Sequence, residues 1–313
     1  MKHVCCIILV LALFSCKNNS EKVALPTTWD YPFQAISQTG DTLYASTPSE
    51  KLITTYEEKK DAFEANPNSL DNLIWYGRFE AYLGNYRKAI AIYTYGLEKF
   101  PNEPKLLRHR GHRYITVRAF DKAIADLSKA AELIKGTNNE VEPDGMPNAQ
   151  NIPVSTLHGN IYYHLGLAYY LERQLPLALD AFKTCLSTSN SPDNVVSTTH
   201  WIYMIQNRLG RKEAGDNYLR NIKPDMNVIE NTTYYEACLF YKGDISLEEL
   251  YPFKKEESAS NTALKYAIGN WFWYKGDPKK GQEIFSEIIK GNDWASFGYI
   301  AAETDLAKPY VSK

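Results

Sequence analysis

The chain has 313 residues, of which 44% are hydrophobic and 23% charged, and its 35 Lys+Arg stand against 37 Asp+Glu. That is enough apolar material to bury a core, and the balanced charge excludes both a disordered tail and a protein that binds nucleic acid through bulk electrostatics. With 17 Gly and 15 Pro, collagen-like and low-complexity classes are excluded as well.

Lys2 and His3 precede Val4 to Phe14, eleven consecutive apolar residues. A run of that length is too short to span a bilayer and suits the core of a secretory signal. It ends in Leu13-Phe14-Ser15-Cys16, which resembles the lipobox of bacterial lipoproteins. The resemblance implies that residues 1–15 are a signal peptide and that Cys16 becomes the lipidated first residue of the mature chain. Lys17, where an Asp would retain such a protein at the inner membrane, implies a lipid anchor in the cell envelope at the outer membrane. Residues 16–48 are polar, contain Pro26, Pro32 and Pro48, and read as the lipidated Cys followed by a tether. Cys5 and Cys6 leave with the signal and Cys16 takes lipid, so only Cys185 and Cys238 remain and no disulfide framework is available.

Ser49 opens a predicted helix that runs to Ala65 and stops at Asn66-Pro67. Beyond it, windows of 34 residues align on Gly77, Gly111 and Gly166. The first carries Tyr76-Gly77, Gly84, Ala89, Tyr93, Gly96 and Pro101. The second carries Gly111, Tyr114, Ala123, Leu127 and Ala130, and the third Tyr162, Leu165-Gly166, Tyr169, Ala178, Phe182 and Cys185. Small residues recur where two helices must approach, and large ones where units must fill the gap between them. Cys185 therefore reads as a packed small residue. These positions resemble the tetratricopeptide repeat (TPR), a helix-turn-helix unit. Weaker units follow, with Ala214 and Tyr218, with Gly243, and with Ile268-Gly269, Phe272, Gly276, Gly281, Phe285 and Ile288. The resemblance implies an all-α TPR superhelix, an α-solenoid over residues 49–310. Its repeats lie at about 70–103, 104–137, 159–192, 195–228, 229–260 and 262–295, with a C-terminal capping helix over 294–308.

TPR proteins that grip a peptide carboxylate use one face of successive first helices, whose spacing aligns by i,i+3 and i,i+4. Carried over residue by residue, that face offers Asp71, Ile74, Trp75 and Arg78, then Lys105, Arg108, His109 and His112, then Asn160, Tyr163, His164 and Leu167. His200 falls near the same position of the fourth unit. Pro104 to Phe120 holds Lys105, Arg108, Arg110, Arg113 and Arg118 and not one acid, so the positive end of that helix calls for a negative neighbour. Glu80 stands where the repeat expects an aromatic and Arg110 where it expects Leu, which predicts a buried Glu80–Arg110 pair.

Between the second and third units lies an insert, Gly136 to Leu157, with Pro143, Pro147 and Pro153. A loop that long inside a compact array is a lid or a brace. Asp144-Gly145 predicts a tight reversal. As a brace, Glu140, Glu142 and Asp144 neutralise the basic helix; as a lid, the loop brings Asp144, Asn148 and Asn151 near Arg108 and His112. The binding set is then Trp75, Arg78, Arg108, His109, His112, Arg113, Asp144, Asn148, Asn151, Tyr163, His164 and His200.

No His-Glu-x-x-His, Gly-x-Ser-x-Gly, phosphate-binding Gly-rich or Cys-x-x-Cys motif is present, so no enzyme activity and no cofactor is expected. A metal on His109, His164 and His200 requires a curvature that brings three first helices together. Trp271-Phe272-Trp273-Tyr274 reads as packing, with Trp271 covering Trp294, or as a hot spot formed by Trp273 and Tyr274. Three functions stay open. One is a membrane-anchored adaptor or scaffold whose groove takes a protein or peptide partner, with no nucleic acid. The second is a binding protein or enzyme for a small anionic ligand, with or without a metal, held by the Arg/His cluster beneath the 136–157 loop. The third, implied by resemblance to a TPR lipoprotein that serves in β-barrel insertion, is assembly within an outer-membrane machine, from whose plan the insert and the histidines depart.

Overall fold

The computed structural model describes residues 31–45, 47–250 and 259–308. The apolar run, Cys16 and residues 17–30 lie outside the described residues. Within them the chain is a succession of helices, several opened by a side-chain cap. Ser69 accepts from the Asn72 amide, Thr156 from Gly159, Ser191 from Asn194, Asp277 from Lys280 and Ser296 from Tyr299. Ser49 stands at the start of the first helix without a side-chain cap bond. No helix among the described residues is long and apolar enough to cross a membrane.

After α1 (Glu50–Ala65) the helices fall in antiparallel pairs. These are α2 (Leu70–Tyr82) with α3 (Tyr86–Lys99), α4 (Pro104–Thr116) with α5 (Phe120–Leu133), and α6 (Leu157–Leu171) with α7 (Leu175–Thr188). Next come α8 (Pro192–Arg208) with α9 (Lys212–Leu219) and α12 (Ala259–Tyr274) with α13 (Pro278–Ile288), while α10 (Thr232–Lys242), followed by the short α11 (Leu247–Leu250), packs on α8 and α12. One small-residue position explains how the pairs close. A Cβ on Gly77 would stand 2.4 Å from the Tyr93 ring, on Gly166 2.8 Å from Phe182 and on Gly269 2.6 Å from Phe285. Each glycine is the seat of the aromatic on its partner helix, which makes the array a TPR-like superhelix.

The turn inside each pair, like that after α10, uses a left-handed residue, which Gly supplies without steric penalty. Gly84 (φ 83°), Gly210 (φ 71°), Gly243 (φ 83°) and Gly276 (φ 96°) do so, but in the second and third pairs the residues are Arg118 (φ 64°) and Arg173 (φ 62°). A non-glycine residue held there costs of order 1–3 kcal/mol and needs a compensating role.

That role is to hold α14 (Phe297–Ala307). The sequence predicts a capping helix over 294–308; α14 packs on α12 and α13, the last pair, and also reaches the ends of α4, α6 and α8 through Arg118, Arg173 and Arg208. Gly298 to Asp305 are all buried, and a Cβ on Gly298 would stand 2.7 Å from the Thr262 backbone of α12. Arg118 binds Glu303 through Nε (3.1 Å) and Nη2 (2.6 Å), with both side chains almost fully buried. Arg208 reaches Asp305 through Nη1 at 2.9 Å, Arg173 pairs with the same carboxylate, and Tyr266 donates to it at 2.9 Å. Apart from these two acids and Thr304, whose hydroxyl donates to the Ile300 carbonyl at 2.7 Å, the helix carries no strongly polar side chain, the composition of a buried element.

The tether expected over 16–48 is in part structured. Ala35–Ile36 (β1) and Thr42–Leu43 (β2) form an antiparallel hairpin with Ala35 opposite Leu43. The Gln38 amide donates to Glu303 at 2.7 Å and Trp294 Nε1 donates to the Tyr44 carbonyl at 2.9 Å, so the hairpin docks on the α14 end of the molecule.

The Glu80–Arg110 pair does not form. Glu80 accepts from Tyr56 (2.9 Å), Asn85 (2.9 Å) and Lys88 (2.8 Å), while Arg110 makes a bidentate pair with Asp126 at 2.7 and 2.8 Å. Each charge is satisfied inside its own pair of helices, or by α1, before a neighbouring first helix can reach it. Trp271 packs on Phe240 (5.2 Å between centroids) and not on Trp294, which packs on Tyr86 (5.4 Å). Trp273 stacks on Phe285 at 6.2 Å, so it belongs to the core. Cys185 and Cys238 are buried free thiols.

Candidate functional site

A cavity of about 320 Å³ lies between α4, α6, the start of α8 and the start of α10. Arg108 and His112 enter from one face of α4 and Asn160, Tyr163 and His164 from one face of α6, by the i,i+3 and i,i+4 spacing of a helix. Val154, Ser155 and Thr156 of the insert form one wall and Phe297 of α14 another. Glu230, Asn231 and Tyr234 complete it. The Asp193 carboxylate positions that last group, accepting from the amides of Ile229 (3.0 Å), Glu230 (2.8 Å) and Asn231 (2.8 Å).

The His112 and His164 rings lie 4.1 Å apart, tilted by 37°, and Phe297 packs against both, 5.3 Å from His112 and 5.7 Å from His164. Burial pushes both imidazoles well below the usual histidine range, and Arg108 and Arg113 push in the same direction. Both rings are therefore neutral at pH 7. His164 Nδ1 donates to the Asn160 carbonyl at 2.6 Å, and Arg113 donates to His112 Nε2. Trp201 Nε1 donates to the Tyr163 hydroxyl (2.9 Å), which donates in turn to the Tyr234 hydroxyl (3.2 Å). The Cys185 thiol borders the cavity, but burial pushes its pKa up to about 12, so it is not a thiolate nucleophile at pH 7.

The insert braces the basic helix as well as walling the cavity. Lys105 pairs with Glu140 (2.8 Å) and Arg108 with Glu142 (2.9 Å), and Arg78 donates to the Pro143 carbonyl (2.9 Å). Its two arms pair across Val141 and Thr156. The tight reversal is not at Asp144-Gly145. It lies further on, where Asn148 Oδ1 accepts from the Gln150 and Ile152 amides and Asn151 takes a left-handed φ of 52°. Gly145 instead faces the Tyr82 ring, where a Cβ would stand 2.5 Å from the hydroxyl.

Of the predicted set, Arg108, His112, Tyr163 and His164 meet at the cavity. Arg113 lies behind His112 with its guanidinium over Tyr86 at 5.5 Å. His109 stacks on Tyr93 at 5.7 Å and receives Arg108 at Nδ1 (2.8 Å). Trp75 is not in the wall; it carries Arg78 on its ring at 4.3 Å. Asp144 stays beside Arg78 with its pKa raised by burial, and Asn148 reaches across to Glu230 at 2.7 Å. Neither Asp144, Asn148 nor Asn151 borders the cavity.

His200 sits one layer behind, 4.8 Å from the Tyr234 ring and 5.9 Å from Tyr241, with burial pushing it down to about 3. It therefore does not converge with His109 and His164 on a metal. Among the described residues no group of three His, Cys, Asp or Glu side chains is placed to hold one. Tyr234 and Phe297 were not predicted, because the repeat pattern is weakest in the fifth unit and absent from α14.

The chain matches no family model, and no curated protein matches it in sequence. Among solved structures it is similar to YrrB, described as a TPR protein with an unusual peptide-binding site, at 17% identity and a TM-score of 0.41, over 75% of this chain and 92% of that one. It is also similar to MamA from AMB-1 (18% identity, TM-score 0.40, 54% of this chain and 86% of that one). A second MamA structure gives 15% identity and a TM-score of 0.39 over 68% and 92%.

Proposed function

We propose that this chain is a lipid-anchored adaptor of the bacterial cell envelope that binds a partner protein and does not transform it. The observation that carries this reading is the cavity walled by successive first helices, with Arg108, His112, Tyr163 and His164 on one surface. Phe297 of α14 stands against His112, Tyr163 and His164 and narrows the space beside them, which favours the end of a partner chain over an extended peptide. The apolar run and Cys16 in the sequence support the anchor, and Lys17 supports the outer membrane.

A second reading, a binding protein for a free small anion, is favoured by one specific feature. About 320 Å³ closed on one side by the insert is the size of a small-molecule pocket.

Site-specific crosslinking in intact envelopes tests the adaptor. A photoreactive residue at Ser155, on the cavity wall, is expected to give a discrete protein adduct that Tyr234→Phe weakens. The same residue at Leu177, exposed on α7, is expected to give none. Adducts at Leu177 with none at Ser155 would overturn the adaptor reading.

A further inference from the structure

We infer that the outward face of the β1–β2 hairpin lies on the phospholipid surface that holds the anchor, so that one end of the array rests on the membrane. The inference rests on the reading of Cys16 as lipidated and adds where the folded part meets the lipid.

The hairpin sorts its side chains by the alternation of a strand. Ala35 and Leu43, partners in the register, are buried in the core. Ile36 and Thr42, the next pair, are on the other face, and Tyr44 follows Thr42 on that face. Ile36 is 46% exposed and Tyr44 61%, and Tyr31, where the described chain begins, is exposed as well. Arg87, at the start of α3, stacks its guanidinium on Tyr31 at 5.1 Å and on Phe33 at 4.6 Å. Its amide donates to Gln34 Oε1 at 3.1 Å, and it has no carboxylate within ion-pair distance among the described residues. Asp41, the one charged side chain from Tyr31 to Ala45, is held in the turn by the hydroxyls of Ser37 (3.2 Å) and Thr39 (2.8 Å).

Size decides what can cover this face. A stable protein interface takes roughly 20–30 residues a side, and three exposed apolar side chains fall far short of that. A membrane needs much less, because the anchor supplies the concentration. Residues 17–30 separate Cys16 from Tyr31, and fourteen residues can span at most about 50 Å. Lipid on Cys16 therefore keeps the hairpin within that distance of the bilayer. Tethering over such a distance gives an effective concentration of order millimolar, at which even a weak apolar contact is occupied. The side chains suit the place: tyrosine has an apolar ring and a polar hydroxyl and concentrates at the membrane–water boundary. Arg87, without an acid of its own, meets anionic headgroups there.

The contact also sets which end of the molecule is near the membrane. Gln38 binds Glu303 and Trp294 binds the Tyr44 carbonyl, so the α14 end, whose Phe297 walls the cavity, is the membrane-proximal one.

Fluorescence quenching by brominated lipid tests this. The full-length chain, matured in a bacterial host and extracted from its membranes, carries a bimane label at Thr42→Cys, between Ile36 and Tyr44, or at Leu177→Cys, exposed on α7. The native Cys185 and Cys238 are buried. Vesicles are of phosphatidylethanolamine and phosphatidylglycerol, with or without bromine on the acyl chains. The label at position 42 is expected to be quenched roughly threefold more than that at 177. Ile36→Ser with Tyr44→Ser is expected to remove most of the difference and leave the melting temperature unchanged, since both side chains are exposed. Mass spectrometry of the same preparation reads the acyl groups on Cys16. Acylated protein with equal quenching at the two positions, or with quenching that the serines leave intact, would overturn the inference while the anchor stood. Cys16 without acyl groups would overturn the anchor and the inference with it.

Discussion

Glu303→Ala is expected to destabilise the fold by about 3–5 kcal/mol, because it leaves the Arg118 guanidinium buried without its counter-charge. The side chains of Arg118 and Glu303 are 2% and 0% exposed, and the same carboxylate also accepts the Gln38 amide of the β1–β2 hairpin. The substitution therefore loosens α14 and the hairpin together. Urea unfolding gives the number. The double variant Arg118→Leu/Glu303→Leu is expected to regain much of the loss, since replacing both partners removes the unpaired charge. A loss below about 1 kcal/mol in the single variant, the range of an exposed pair, would mean that α14 is not seated as described.

The second large effect is acid lability well above the carboxylate range. His109, His112, His164 and His200 all have their pKa lowered chiefly by burial. Above pH 6.5 these side chains are neutral in both states and stability is unaffected. Below it the unfolded chain takes up protons that the native state refuses, and each histidine removes up to about 1.4 kcal/mol per pH unit. His200, held down to about 3, alone removes about 2 kcal/mol by pH 5, and His109, His112 and His164 add to the loss in the same direction. Asp305, whose pKa two guanidiniums lower against the effect of burial, adds its own loss only at lower pH. The urea midpoint is expected to fall from pH 6.5 to 5, and His200→Phe to flatten the fall by about 2 kcal/mol at pH 5. A midpoint unchanged between pH 7.5 and 5 would show that these imidazoles can be protonated in the native state.

The helix pairs were legible because close packing forces a small residue against a large one at a fixed spacing, as Gly77 with Tyr93 and Gly166 with Phe182 show. The placement of α14 was not, although its signals are in the sequence. Glu303 and Asp305 interrupt an otherwise apolar helix, and Arg118 and Arg173 stand in turns where other units have Gly84 and Gly276. Acids on one element and cations at two repeat turns are complementary, but only long-range packing reveals that they meet.

Site residues followed the same division. Arg108, His112, Tyr163 and His164, the positions transferred between well-formed repeats, line one cavity. His200 failed because small errors of register matter on a helix buried almost all round, where every face meets a neighbour. The Glu80–Arg110 prediction failed for a different reason. Residue types show that a charge needs a partner, not which of several nearby groups supplies it.

Crosslinking from the cavity wall in intact envelopes tests the central claim most directly, because the adaptor reading places a partner protein there. A photoreactive residue at Ser155 is expected to give a discrete protein adduct that Tyr234→Phe weakens. Adducts from Leu177 on the exposed face with none from Ser155 would contradict the account.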